Sequence, residues 1–174
     1  MQEKINTTKE ENKKLCDKYP FLVWYSDPLY GDYDEDTEID YTFTWEDEMP
    51  EGWRKAFCPE IWDELKAILE KADYVDKFRF VQIKEKYGTL RLYYDGVPEK
   101  IYAEIEAWES KYEDLSEKTC ICCGKSAKYR SINWISPWCE DCAKKINQTV
   151  IKIEDAENFY SVKDEDRKKF IVKF

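Results

Sequence analysis

Four cysteines toward the C-terminal end constrain this chain more than any other feature. They stand as Cys120-x2-Cys123 and Cys139-x2-Cys142, with fifteen residues between the pairs. Two CxxC pairs at this separation make the donor set of a four-thiolate zinc site. Each pair puts two sulfurs on one metal, and the intervening loop folds back to close a tetrahedron. Gly124 directly follows Cys123, as a zinc knuckle requires, because its turn needs a residue without a Cβ for backbone amides to approach the sulfurs. The second pair lies in SPWCEDCAKKINQ, where Cys139 and Cys142 open a helix expected over 140–147, whose amide end favours thiolate charge. A knuckle, a hairpin through 126–135 and a helix bearing the second pair predict a treble-clef-like zinc finger. Cys122 offers a Cys120/Cys122 alternative to the first pair. C-x-C is a poorer chelate spacing and the glycine follows Cys123, so Cys122 reads as a spare thiol. Cys16 and Cys58 read as buried small hydrophobes.

Four cysteines fill the coordination shell, whereas a catalytic zinc keeps one position open. PWCEDC approaches the P-C-x-x-C half of the zinc deaminase signature, but no Glu occupies the proton-shuttle slot beside the upstream cysteines. The chain has no His at all, which removes the commonest general base and excludes a Ser-His-Asp arrangement within it. The zinc is expected to be structural and the protein to act by binding, without chemistry.

The chain has 174 residues, enough for one ordinary domain with a small metal-stapled appendage. Its 43% hydrophobic residues, with seven Trp, thirteen Tyr and eight Phe, supply a core despite 38% charged residues. No apolar run approaches the length of a membrane span. The N-terminal MQEKINTTKEENKK lacks the apolar stretch of a signal peptide. Five of seven cysteines fall within 120–142, a distribution that suits a metal site in a reducing compartment; the expected location is cytoplasmic.

Periodicity predicts a polar helix over 8–18, ended by Tyr19-Pro20, and strands at FLVWY (21–25) and YTFTW (41–45). A helix over about 59–72 carries Ile61, Trp62, Leu65, Ile68 and Leu69 at helical spacing. Residues 78–85 and 89–95 read as a hairpin around Lys86-Tyr87-Gly88, with Leu90, Leu92 and Tyr94 on one face. A further helix over 98–115 carries the stripe Ile101, Ile105, Trp108, Tyr112 and Leu115. The expected class is α+β, a small antiparallel sheet with flanking helices plus the zinc finger. The expected division is an acidic α+β domain over 1–117, a zinc module over 118–150 and a tail or edge strand over 151–174. Phe170, Val172 and Phe174 alternate as an edge strand would.

Charge is unevenly placed. Residues 19–53 hold eleven acids and no Lys or Arg, against a net charge of −10 for the whole chain. Such a patch repels nucleic acid and attracts basic partners. Asp32, Asp34, Glu35, Asp36 and Glu38 are the expected docking residues for a basic protein surface, with a solvated acidic loop as the alternative. DYDEDTEID also resembles a calcium loop but lacks the Gly and the final Glu of an EF-hand. Residues 118–150 carry Lys118, Lys125, Lys128, Arg130, Lys144 and Lys145 against Glu140 and Asp141. These lysines read as a screen for the thiolates. A nucleic-acid surface with Tyr129, Trp134 and Trp138 as stacking rings is the second reading.

VQIKEKYGTLRLYYDGVP (81–98), with TCICCGKSAKYR, WISPWCEDC and the EMPEGWRKAF of 48–57, resembles a group of small proteins of bacteria and their phages. In that group a KEKYG-LR hairpin precedes a helix and a C-x-x-C-G…C-x-x-C finger. The resemblance covers roughly 48–145. It implies the same architecture, a zinc site and a phage or prophage setting in which the partner is host machinery, and it transfers no catalytic residue.

Overall fold

The structure is a computed structural model that describes residues 8–24, 39–146 and 148–174. Asp32, Asp34, Glu35, Asp36 and Glu38, and the calcium-loop reading with them, lie outside the described residues. The fold is α+β. Among the described residues seven α-helices accompany two small antiparallel sheets. The chain forms two compact units. One comprises 1–49, 58–84 and 91–111, the other 50–57, 85–90 and 112–174. This division is discontinuous in sequence, because segments from three places in the chain build the second unit.

In the first unit, α1 (Lys9–Lys18) begins at a capping box. The Thr8 hydroxyl accepts from the Glu11 amide while the Glu11 carboxylate takes the Thr8 amide. Its half-polar face is fastened by the buried Asn12, whose side-chain amide donates to the Tyr41 carbonyl at 2.8 Å. α3 (Glu60–Glu70) buries Ile61, Trp62, Leu65 and Leu69, four of the five positions expected; Ile68 is only half-buried. Among the described residues the two strands expected at 21–25 and 41–45 do not form. Pro20 fixes its φ and opens a 3-10 turn over Pro20–Leu22, and Trp45–Glu48 forms another. Strand pairing is reduced to one bridge between Val23 and Thr44. Of the aromatic residues that suggested strands, Phe21 and Trp45 are instead buried in the core. Phe21 meets Trp62, Phe78 and Phe80 with ring centroids 6.0–6.3 Å apart. Two of these contacts are edge-on, as ring quadrupoles favour. Two indoles here are anchored by their N–H: Trp62 to Glu46 at 2.6 Å, and Trp108 to the Ile61 carbonyl at 3.0 Å.

Two continuous elements contribute residues to both units. β1 (Phe80–Lys86) and β2 (Thr89–Tyr94) form the expected hairpin. Tyr87 and Gly88 both have positive φ, 56° and 82°, as a two-residue type I′ turn demands. α4 (Glu99–Glu117) buries Ile101, Ile105, Trp108 and Tyr112. Leu115, the last position of the expected stripe, is exposed, and Ser116 is buried in its stead.

The second unit contains α2 (Glu51–Phe57), which periodicity did not reveal, and a four-stranded sheet ordered β4-β3-β5-β6. Its strands are β3 (Tyr129–Ser131), β4 (Pro137–Trp138), β5 (Val150–Lys152) and β6 (Ile171–Val172). All pair antiparallel, with Tyr129 opposite both Trp138 and Lys152, and Ile151 opposite Ile171. The end of the chain is therefore an edge strand. It is reached through α6 (Ala156–Ser161) and α7 (Asp164–Arg167), where the Arg167 Nε donates to the Phe159 carbonyl at 3.0 Å.

Candidate metal centre

The metal centre grows from two tight loops. In the first, the Cys120 amide donates to the Lys125 carbonyl at 2.7 Å and the Gly124 amide to the Cys120 carbonyl at 3.0 Å. The loop is closed by the Thr119–Ser126 bridge. Gly124 sits at φ 78°, a conformation that costs any residue with a side chain. In the second, β4 delivers the chain to Cys139, the N-cap of α5 (Glu140–Ala143), and Cys142 lies in that single helical turn. The helix expected to reach 147 stops at Ala143, with Lys144 as its C-cap. The order is knuckle, β3–β4 hairpin and helical turn, compatible with a zinc-finger-like site.

The sulfurs of Cys120, Cys123, Cys139 and Cys142 all lie within 4.8 Å of one another, and the Cys123 and Cys139 sulfurs are 3.5 Å apart. A tetrahedron with metal–sulfur bonds of about 2.3 Å has sulfurs about 3.8 Å apart, so the four stand where a single metal ion would hold them. Cys120 and Cys139 are buried and Cys123 and Cys142 half-buried, while Cys122 is exposed and outside the cluster. Among the described residues no His, Asp or Glu joins the four sulfurs. The Cys142 thiol is pushed far above its usual range by burial and by its hydrogen bonds to the Cys139 and Cys123 sulfurs.

The other cysteines differ. Cys16 is buried, and burial together with Asp17 pushes its thiol up to about 12; it behaves as an apolar side chain. Cys58 is only half-buried, which corrects the expectation of a core residue there.

What the sequence did not disclose is the floor of the site. Gly52, inside α2, lies against the knuckle. Its amide donates to the Ile121 carbonyl at 2.9 Å, and a Cβ there would stand 2.2 Å from the Cys120 carbonyl oxygen. A Cβ on Gly124 would in turn meet the Gly52 carbonyl oxygen at 2.7 Å. Beside it the fully buried Trp53 donates its indole N–H to the Thr119 carbonyl at 3.0 Å. The available signal was a glycine inside a short helix, a placement that costs roughly 0.5–1 kcal/mol and needs a packing reason.

Charge around the sulfurs is matched within the unit. Lys55 is held by Glu51 and feels Cys122 and Cys123; Lys125 is held by Asp141 and feels Cys123 and Cys139. Lys144 pairs with Glu140 at 2.7 Å, Lys125 with Asp141 at 3.2 Å and Arg130 with Glu117 at 3.8 Å. Three of the six basic residues of the finger are thus opposed by carboxylates. No helix among the described residues is long and apolar enough to cross a membrane. Comparison with protein-family models, curated proteins and solved structures returned no match.

Proposed function

We propose that the protein is a non-enzymatic interaction module of the cytoplasm. Its four cysteines hold a structural zinc ion, and its acidic segment docks on a basic surface of a partner protein. The observation that carries the reading is the four-sulfur cluster itself. Thiolates select zinc among the abundant hard and borderline divalent ions, and four of them leave no position for water or substrate. The resulting ZnS4 centre carries −2, which the nearby Lys55 and Lys125 moderate. It fixes the knuckle against α2 and the β3–β4 hairpin, and so supports a binding surface.

The eleven acids of residues 19–53, with no Lys or Arg among them, supply the docking charge. A basic protein face, such as the nucleic-acid channel of an enzyme, is the complementary surface. The ion pairs of Lys125, Arg130 and Lys144 weigh against nucleic acid itself as the partner of the finger.

The test is capture from a lysate by the wild-type protein and by a variant with Asp32, Asp34 and Asp36 changed to Asn and Glu35 and Glu38 changed to Gln. The account expects a basic partner whose association slows as salt screens exposed charges over about 8–10 Å. The variant should bind it several-fold more weakly at unchanged thermal stability. Equal recovery of that partner by both proteins, with the same salt dependence, would show the segment to be a solvated loop.

A further inference from the structure

We propose that the tip of the β1–β2 hairpin and the 132–135 turn form a cleft that binds a proline-rich segment of a partner protein in the polyproline II conformation. This goes beyond the acidic docking reading, since it uses another surface and another chemistry.

The cleft has a volume of about 460 Å3 and is lined by Glu85, Lys86, Tyr87, Ile132, Asn133, Trp134 and Ile135. That size falls within the roughly 300–1,000 Å3 of ligand pockets. Its two rings are the most exposed large apolar side chains among the described residues, Tyr87 at 69% and Trp134 at 68%. Each stands on a constrained stretch of backbone. Tyr87 is held in the left-handed region at φ 56°, which costs a non-glycine residue of order 1 kcal/mol or more and persists only where its surroundings enforce it. The Glu85 carboxylate enforces it by accepting the Gly88 amide at 2.6 Å. Gly88 lets the tip approach the opposite wall, where a Cβ would lie 3.2 Å from the Ile135 Cγ2. On that wall the Ser131 hydroxyl donates to the Trp134 carbonyl and accepts the Ser136 amide at 3.1 Å. The backbone that carries both rings is thus set before any ligand arrives.

The chemistry of the cleft is donor-rich over an apolar floor. The Trp134 indole N–H, the Tyr87 hydroxyl and the Asn133 carboxamide can each donate at this surface, while the Glu85 carboxylate already accepts the Gly88 amide. The Lys86 ammonium lies 5.6 Å from the Tyr87 ring centre. Ile132 and Ile135 supply the floor. The complement is a ligand that presents acceptors and apolar rings but few donors. A proline-rich chain is that ligand: its pyrrolidine rings stack on aromatics, its carbonyls accept, and its prolines carry no N–H. Charge agrees. Glu85 and Lys86 cancel within the cleft, and the chain carries −10 overall, whereas a single-stranded nucleic acid needs a basic track beside its stacking rings.

The experiment follows the Trp134 indole N–H by NMR in the full zinc-loaded chain. The resonance is assigned as the one missing from Trp134→Phe, and the probes are decaproline, a Gly-Ser decapeptide and decathymidylate. Decaproline is expected to shift this resonance saturably and the Gly-Ser peptide to leave it unmoved. Trp134→Ala should weaken decaproline binding by about tenfold or more, measured by calorimetry, with zinc content and melting temperature unchanged because the ring is exposed. Tyr87→Gly, which removes the other ring while keeping the backbone conformation available, should do the same. The proposal is overturned if millimolar decaproline leaves the Trp134 signal in place, if decathymidylate shifts it as strongly as decaproline, or if both variants bind decaproline like the wild type.

Discussion

At the scale of single residues the cysteines and one glycine carry the account. Cys123→Ser and Cys142→Ser remove one of four sulfurs and should each reduce bound metal sharply, read by elemental analysis. Cys122→Ser should retain it, since Cys122 is exposed and outside the cluster. Gly52→Ala places a Cβ 2.2 Å from a backbone oxygen of the knuckle. The backbone has to move, and the expected cost is about 1–3 kcal/mol in chemical denaturation. The four-cysteine cluster was legible because metal chelation imposes a spacing on the sequence. Gly52 was not, because the Ile121 carbonyl it meets is 69 residues away in sequence and its requirement is purely steric. A residue-level pH effect belongs to Asp63. The Tyr19 hydroxyl at 2.6 Å and Lys18 at 2.9 Å hold its carboxyl below the usual carboxylate range. A carboxyl depressed in the folded state adds stability above the ordinary carboxylate pKa and loses it as pH falls through the folded value. Asp63→Asn should therefore be less stable than wild type near neutrality, with the gap closing in acid; a gap that is independent of pH would contradict this.

At the scale of elements, the helices with apolar stripes were legible and the strands only in part. The stripe of α3 and most of that of α4 are buried as their 3.6-residue period requires. FLVWY and YTFTW failed because aromatic, β-branched composition signals burial as readily as it signals pairing. Here Pro20 draws Phe21 and Leu22 into a 3-10 turn, and the Thr44–Asp47 capping box starts another at Trp45. The end of α4 shows a different limit. The apolar period continues to Leu115, yet Ser116 is buried because its hydroxyl accepts the Leu90 amide at 2.8 Å while donating to the Glu113 carbonyl. Ser116→Ala leaves a buried amide unpaired and should cost about 1–3 kcal/mol. Hydrogen exchange should report it first at Leu90; no loss of protection there would show that the amide has another partner.

At the scale of the whole molecule, the sequence pointed to a finger appended to a domain, while the structure assembles its second unit from three separate stretches, 50–57, 85–90 and 112–174. A linear reading cannot see this, because CxxC spacing marks the ligands and is silent about which distant helix packs under them. It also gives the proposed metal ion a reach beyond its own loop. The knuckle is hydrogen-bonded to α2 through Gly52 and Trp53, so loss of the ion should loosen that contact as well as the cysteine loops. The most direct test of the central claim is zinc X-ray absorption, combined with elemental analysis, on protein purified without chelators. The account predicts one zinc per chain, surrounded by four sulfurs at about 2.3 Å with no oxygen or nitrogen neighbour. Protein that folds without metal, or with a disulfide among Cys120, Cys123, Cys139 and Cys142, would contradict it.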